Sequence, residues 1–158
     1  MLRPLFPPFL LSLFLLTACA VQYRSDISLP AAPSASNAAL RKAAEKWLGT
    51  PYQYGGNDAR GIDCSGLACR LYEEVFSYRL PRAANDQRRL GYSVHAPYLK
   101  AGDLIFFRFA GDERIEHVGV YLGAGEFIHA STRRGVVIDR LDDPYYRRHV
   151  VVIKRVLR

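Results

Sequence analysis

A chain of 158 residues, 49% apolar and 23% charged, suffices for one domain with its own core but not comfortably for two. Its formal charge of +7 suits an anionic partner. No RNA- or DNA-binding motif is present, so a polyanionic wall or an anionic membrane surface is expected, and nucleic acid is not.

The first segment stands apart from the fold. Arg3 is followed by an apolar run over residues 10–16, too short to span a bilayer as a stable helix. Leu16-Thr17-Ala18-Cys19 resembles a bacterial lipoprotein cleavage site, with an ordinary secretory signal or a poor membrane anchor as the alternatives. That resemblance implies a signal peptide over 1–18 and a lipidated Cys19 as the mature N-terminus. Ala20 follows the cysteine where an Asp would signal otherwise, which implies anchoring on the periplasmic side of an outer membrane. Loss of Arg3 lowers the formal charge from +7 to +6. Residues 19–36, with Ser25, Ser28, Pro30, Pro33, Ser34 and Ser36, are expected to form a flexible tether, leaving 37–158 as the folded domain.

Asn37 can cap a helix whose Leu40, Ala43, Ala44, Trp47 and Leu48 form an apolar stripe, ended by Gly49 and Pro51. The glycine-rich stretch from Tyr52 to Gly61 is expected to be a loop. Leu67, Ala68, Leu71, Tyr72 and Val75 recur at helical spacing with Cys64 on the same face, and Asp63 is a good N-cap. Cys64 therefore opens a helix, where unpaired N–H groups and the helix dipole favour a thiolate. Gly66 is expected to keep the approach to the sulfur clear. A lone cysteine here can equally be a buried structural residue. Cys69 lies five helical residues on, roughly 7.5 Å along the axis and about 140° around it. A disulfide needs converging side chains within about 7 Å, so none is expected between them.

A short third helix is expected over 83–90 after Leu80-Pro81-Arg82, and then the period changes. Strands are expected over 104–109, 117–122, 126–130, 135–141 and 150–157, with a turn or short helix at 142–146. Helices first and about five antiparallel strands after give an α+β domain. His117 opens one strand, with Gly119 and Tyr121 on its face; Gly119 is expected to leave that face open beside the imidazole. His129 lies on the next strand across a tight turn, so the two rings can meet and one can fix the tautomer of the other. A thiolate nucleophile needs such a base and orienting group, although strand histidines are often only structural. Cys64, His117 and His129 could also hold zinc, but no CxxC, HxxxH or HExxH spacing supports a metal, and no cofactor is called for.

Six stretches occur in one order: Tyr52-Gln53-Tyr54-Gly55-Gly56, Gly61-Ile62-Asp63-Cys64-Ser65-Gly66, Leu80-Pro81-Arg82, Gly102-Asp103-Leu104-Ile105-Phe106-Phe107, His117-Val118-Gly119-Val120-Tyr121-Leu122-Gly123 and Phe127-Ile128-His129-Ala130-Ser131. In this the chain resembles the NlpC/P60 family of cell-wall cysteine peptidases over about residues 38–157, in particular its small lipoprotein murein endopeptidases. The resemblance implies a permuted papain-like fold, with Cys64 as nucleophile, His117 as base and His129 as orienting residue. It places Tyr52 near the nucleophile, where the hydroxyl could share an oxyanion with the Cys64 N–H; Asp63 and Ser65 are motif positions beside them. The implied substrate is a peptidoglycan stem peptide, cut at the D-alanyl–diaminopimelate cross-link or, alternatively, between γ-D-glutamate and diaminopimelate. A non-catalytic wall-binding lipoprotein and a thiol acyltransferase are the other classes open on this fold. One departure is plain: Ala83 and Ala84 stand where the family usually carries Ser or Thr.

Overall fold

A computed structural model describes residues 35–109 and 117–157. The signal, lipidation and most of the tether expected for the N-terminus lie outside these residues. Among the described residues, no helix is long and apolar enough to cross a membrane.

Helix α1, Ala35–Glu45, buries Leu40, Ala43 and Ala44 at the spacing that one helix face requires. It begins two residues before the expected cap, so Asn37 lies inside the first turn; Ala35 is an intrinsically strong helix former. After it, Gly49 N–H donates to the Val136 carbonyl and Val136 N–H to the Thr50 carbonyl, tying the chain to the later sheet. Two short strands, β1 (Asn57–Asp58) and β2 (Gly61–Ile62), form a ribbon in the stretch expected to be loop. Two-residue strands carry too little alternation to be seen in a sequence. Helix α2, Cys64–Phe76, follows at once and buries Leu67, Ala68, Leu71 and Tyr72. The third helix, α3, spans only Ala84–Gln87.

The main sheet has six strands rather than about five. They are β3 (Tyr92–Ser93), β4 (Leu104–Phe107), β5 (His117–Gly123), β6 (Glu126–Ser131), β7 (Gly135–Arg140) and β8 (Val150–Arg155). The order is β3-β8-β4-β5-β6-β7, with every neighbour antiparallel. The extra strand, β3, is two exposed residues on the edge beside β8. A short helix α4, Pro144–Arg147, occupies the expected turn.

Both faces of the sheet centre are covered. Leu104, Phe106, Val118, Val120 and Ile128 join α1 and α2 in the larger core. Ile105, Phe107, Tyr121, Phe127 and Ile153 form a second cluster on the opposite face, against which Tyr146 packs. This explains why β4 reads as an unbroken apolar run, buried at all its positions. The C-terminal strand is clasped by a bidentate pair: Arg155 Nε and Nη2 donate to the Asp103 carboxylate at 2.8 and 2.7 Å.

Candidate active site

The Tyr52–Gly56 loop, the β1–β2 ribbon and the start of α2 converge on the Asp63 carboxylate. As the N-cap, its Oδ1 accepts from Gly66 N–H at 2.7 Å, while Oδ2 accepts from Gly55 N–H at 2.9 Å. Arg82 donates to both carboxylate oxygens at 2.8 and 2.7 Å, and Ser65 Oγ donates to Oδ1 at 3.1 Å. Burial opposes the charge, yet the Arg82 guanidinium and these N–H groups hold the carboxyl below its usual range. Asp63 and Ser65 thus clamp the loop to the helix, and Arg82 completes the clamp. The Leu80-Pro81-Arg82 motif is visible in the sequence, but nothing local to it points to the carboxylate that Arg82 binds. A Cβ on Gly66 would stand 2.6 Å from the Gly56 carbonyl oxygen, so this glycine permits close backbone approach. That replaces the expectation that it clears the way to the sulfur.

Cys64 sits in the first turn of α2, 8% exposed, and both it and Cys69 are free thiols. Burial pushes the Cys64 thiol up to about 11, although the Val118 N–H, next to His117, is directed at the sulfur and works the other way. The thiolate-favouring effect of the helix start is therefore outweighed by desolvation in the resting protein. A groove of about 430 Å³ opens beside the sulfur, bordered by Tyr52, Tyr54, Arg82, Ala83 and Asn85. Tyr52 is half-buried there, its phenol raised by burial and by the acidic groups of Cys64 and Asp63. A larger cleft of about 750 Å³, bordered by Tyr92, Lys100, Tyr121 and Arg155, includes none of these residues.

The adjacent strands β5 and β6 bring the two histidines together as their cross-strand spacing suggests. His117 Nε2 lies 2.7 Å from His129 Nδ1, with the rings edge to face. Burial, and then the neighbouring His129, push the His117 imidazole down to about 3. Gly119 does not leave an open wall, because a Cβ there would meet the Phe127 ring at 2.6 Å. His129 Nε2 in turn lies 2.9 Å from Asp139 Oδ2 on β7. Arg134 donates to both oxygens of Asp139, at 3.1 Å to Oδ1, and the Tyr146 hydroxyl donates to Oδ2. No local sequence signal marks Asp139, Arg134 or Tyr146 as members of the site. The register His129↔Val137 places Asp139 one side-chain repeat along on the same face, a relation that only known strand pairing reveals. Among the described residues, no group of His, Cys, Asp or Glu is arranged to hold a metal ion.

The model of the NlpC/P60 family matches residues 49–155, which hold the cysteine, both histidines and the whole sheet. The chain belongs to the NlpC/P60 family. A relative from Haemophilus influenzae, named a probable endopeptidase NlpC homolog, is 43% identical over 119 residues, 75% of this chain and 62% of its own. The Escherichia coli protein named murein DD-endopeptidase MepS/murein LD-carboxypeptidase is 41% identical over 111 residues, 70% of this chain and 58% of its own. The chain thus spans about three fifths of the length of these two relatives. Among solved structures, an NlpC/P60 family protein from Bacillus cereus superposes with a TM-score of 0.71 at 33% identity. That match covers 77% of this chain and 40% of the other. The α+β fold expected from the sequence is therefore the family's fold, with one edge strand more.

Proposed function

We propose that this protein is a murein endopeptidase, a thiol hydrolase that cuts amide bonds in peptidoglycan stem peptides. The observation that carries the reading is a helix-start cysteine beside an open groove, with the Val118 N–H directed at its sulfur and a hydrogen-bonded histidine pair that begins at the adjoining His117. With the thiol raised by burial and the imidazole lowered, the resting pair is neutral. The sulfur of Cys64 attacks the amide carbonyl carbon as its proton passes to His117. His129, bonded to His117 Nε2, orients the ring, and the proton goes on to the leaving amine. Water then gives a proton to His117 and adds to the thioester; its collapse releases the acid, and the sulfur recovers the proton. The Cys64 N–H and the Tyr52 hydroxyl, both at the groove, are the donors proposed for the oxyanion.

The bond proposed is the D-alanyl–diaminopimelate cross-link between stems, in keeping with the name of the E. coli relative. A mature charge of +6, lipid on Cys19 and the tether of 19–36 would hold the domain on the periplasmic face of the outer membrane, near the anionic wall. Soluble protein digesting purified murein, with Cys64→Ala beside it, tests the activity by mass spectrometry. Intact tetrapeptide monomers are expected from cross-linked dimers; products shortened to dipeptides mean cleavage within the stem. Normal release by a folded Cys64→Ala protein overturns the nucleophile, and no release by the wild type overturns the function. For the anchor, membrane recovery should survive high salt, because burial of acyl methylenes at about 0.8 kcal/mol each is not screened. Release of the wild type by salt alone would refute lipidation.

A further inference from the structure

The histidine pair does not end at His129. Its Nε2 faces Asp139 Oδ2 at 2.9 Å, and that carboxylate also receives Arg134 on both oxygens and the Tyr146 hydroxyl. We infer that Asp139 is a positioning residue that sets the tautomers of both histidines and so leaves the lone pair on Nδ1 of His117. This rests on the reading of His117 as the base.

The inference follows from which atoms can donate. An ionised carboxylate only accepts hydrogen bonds, so His129 must carry its proton on Nε2. A neutral imidazole then has a bare Nδ1, and His129 Nδ1 must accept from its partner. The partner at 2.7 Å is His117 Nε2, which therefore carries the proton. Nδ1 of His117 is left with its lone pair, as a base for Cys64 requires. One carboxylate thus dictates the proton positions on two rings in series.

Asp139 is built to stay ionised. The hydrogen bond from His129, and then Arg134 and Tyr146, hold its carboxyl well below the usual range against the cost of burial. Among the described residues, the polar groups gathered at the His129 end of the pair are Asp139 from β7, Arg134 from the β6–β7 turn, and Tyr146 from α4. Phe107 and Phe127 pack against the rings without offering a proton. The Tyr146 ring also meets His129 edge to face with centroids 5.5 Å apart, which limits rotation of the imidazole. Asp139→Asn keeps the shape but supplies an amide N–H that can donate to His129 Nε2. Both histidines could then flip tautomer, placing a proton on His117 Nδ1 and removing the base.

Long-range proton–nitrogen correlation spectra of the imidazole rings test this directly, without substrate. In the wild type near neutral pH, both histidines should be protonated on Nε2. In Asp139→Asn, protonation of Nδ1 should become visible on both rings. Hydrolysis by that variant should fall at least roughly 100-fold in kcat with KM little changed; the loss of about 10⁴ on replacing a carboxylate that directly orients a triad histidine is the upper bound, since Asp139 acts through a second ring. A wild-type spectrum with His117 protonated on Nδ1 overturns the inference, and that measurement needs no variant to fold. Wild-type spectra and kcat in a folded Asp139→Asn protein overturn it equally. No release of muropeptides by the wild type would instead remove the hydrolase reading, and full activity of Cys64→Ala the nucleophile, while the spectra still decide the tautomers.

Discussion

At the scale of single residues, the site works against its own resting state. Cys64 and His117 are both buried, and desolvation favours the neutral form of each. Passing a proton between them creates an ion pair inside the site without changing its net charge. The neighbours of His117 therefore matter more than its solvent exposure. His117→Ala is expected to cost nearly as much activity as Cys64→Ala, and His129→Ala somewhat less, since water can partly replace an orienting group. The double variant His117→Ala/His129→Ala should be little worse than His117→Ala alone, because residues acting as one unit lose their effect together. Measured kcat/KM losses that multiply would mean that the two histidines act separately.

At the scale of elements, the helix starts and strand clasps locate the machinery. Asp63 caps α2 through Gly66 N–H, but Ala83, the N-cap of α3, makes no side-chain cap bond. Its backbone is extended, at φ −89° and ψ 136°, as an N-cap serine would be. Ala83→Ser should therefore stabilise the protein by about 1 kcal/mol, read as a higher denaturation midpoint. It also adds a hydroxyl to the groove beside Cys64, so KM for murein peptides is the quantity to follow with it. An unchanged midpoint would show that so short a helix gains nothing from a cap. The Asp103–Arg155 pair holds β8 to the turn before β4, with Asp103 only 2% exposed. Arg155→Met leaves that carboxylate buried and unpaired, at a cost of about 3–5 kcal/mol. Guanidinium unfolding checks this, and a loss under 1 kcal/mol would mean that water replaces the guanidinium.

At the scale of the whole molecule, stability should depend on acid through the buried histidine pair. The His117 imidazole titrates near 3 in the folded protein and near 6.5 when unfolded. Between these values the unfolded chain holds a proton that the native chain does not, so stability falls as pH falls. The contribution is complete above about pH 6.5 and is lost by up to about 1.4 kcal/mol per pH unit below it. Asp139 adds its own loss only below about pH 4, where the unfolded carboxylate takes up a proton that the folded one, held below the ordinary range, does not. Guanidinium midpoints at pH 7 and pH 5 should differ for the wild type and converge for His117→Phe. Equal wild-type midpoints would show that His117 is not held neutral by burial.

The sequence alone carried what is local or periodic. Apolar spacing marked α1 and α2, the change of period marked the sheet, and Asp63 before Cys64 marked the helix start. Alternation along one strand and a tight turn were enough to bring His117 and His129 together. The tertiary structure decided whatever depends on pairing across distance or on burial. Asp139 lies ten residues from His129, and only the β6–β7 register puts it on the same face. Arg82 reaches the Asp63 cap from beyond the end of α2, across a gap that no periodicity spans. Strands β1, β2 and β3 are two residues each, too short to alternate; β1 and β2 exist by pairing with each other, and β3 by pairing with the longer β8. The thiol of Cys64 was expected to ionise from its place at a helix start, a local property. Burial under the sheet reversed that balance, because desolvation is set by everything packed around the sulfur and by nothing adjacent in the chain.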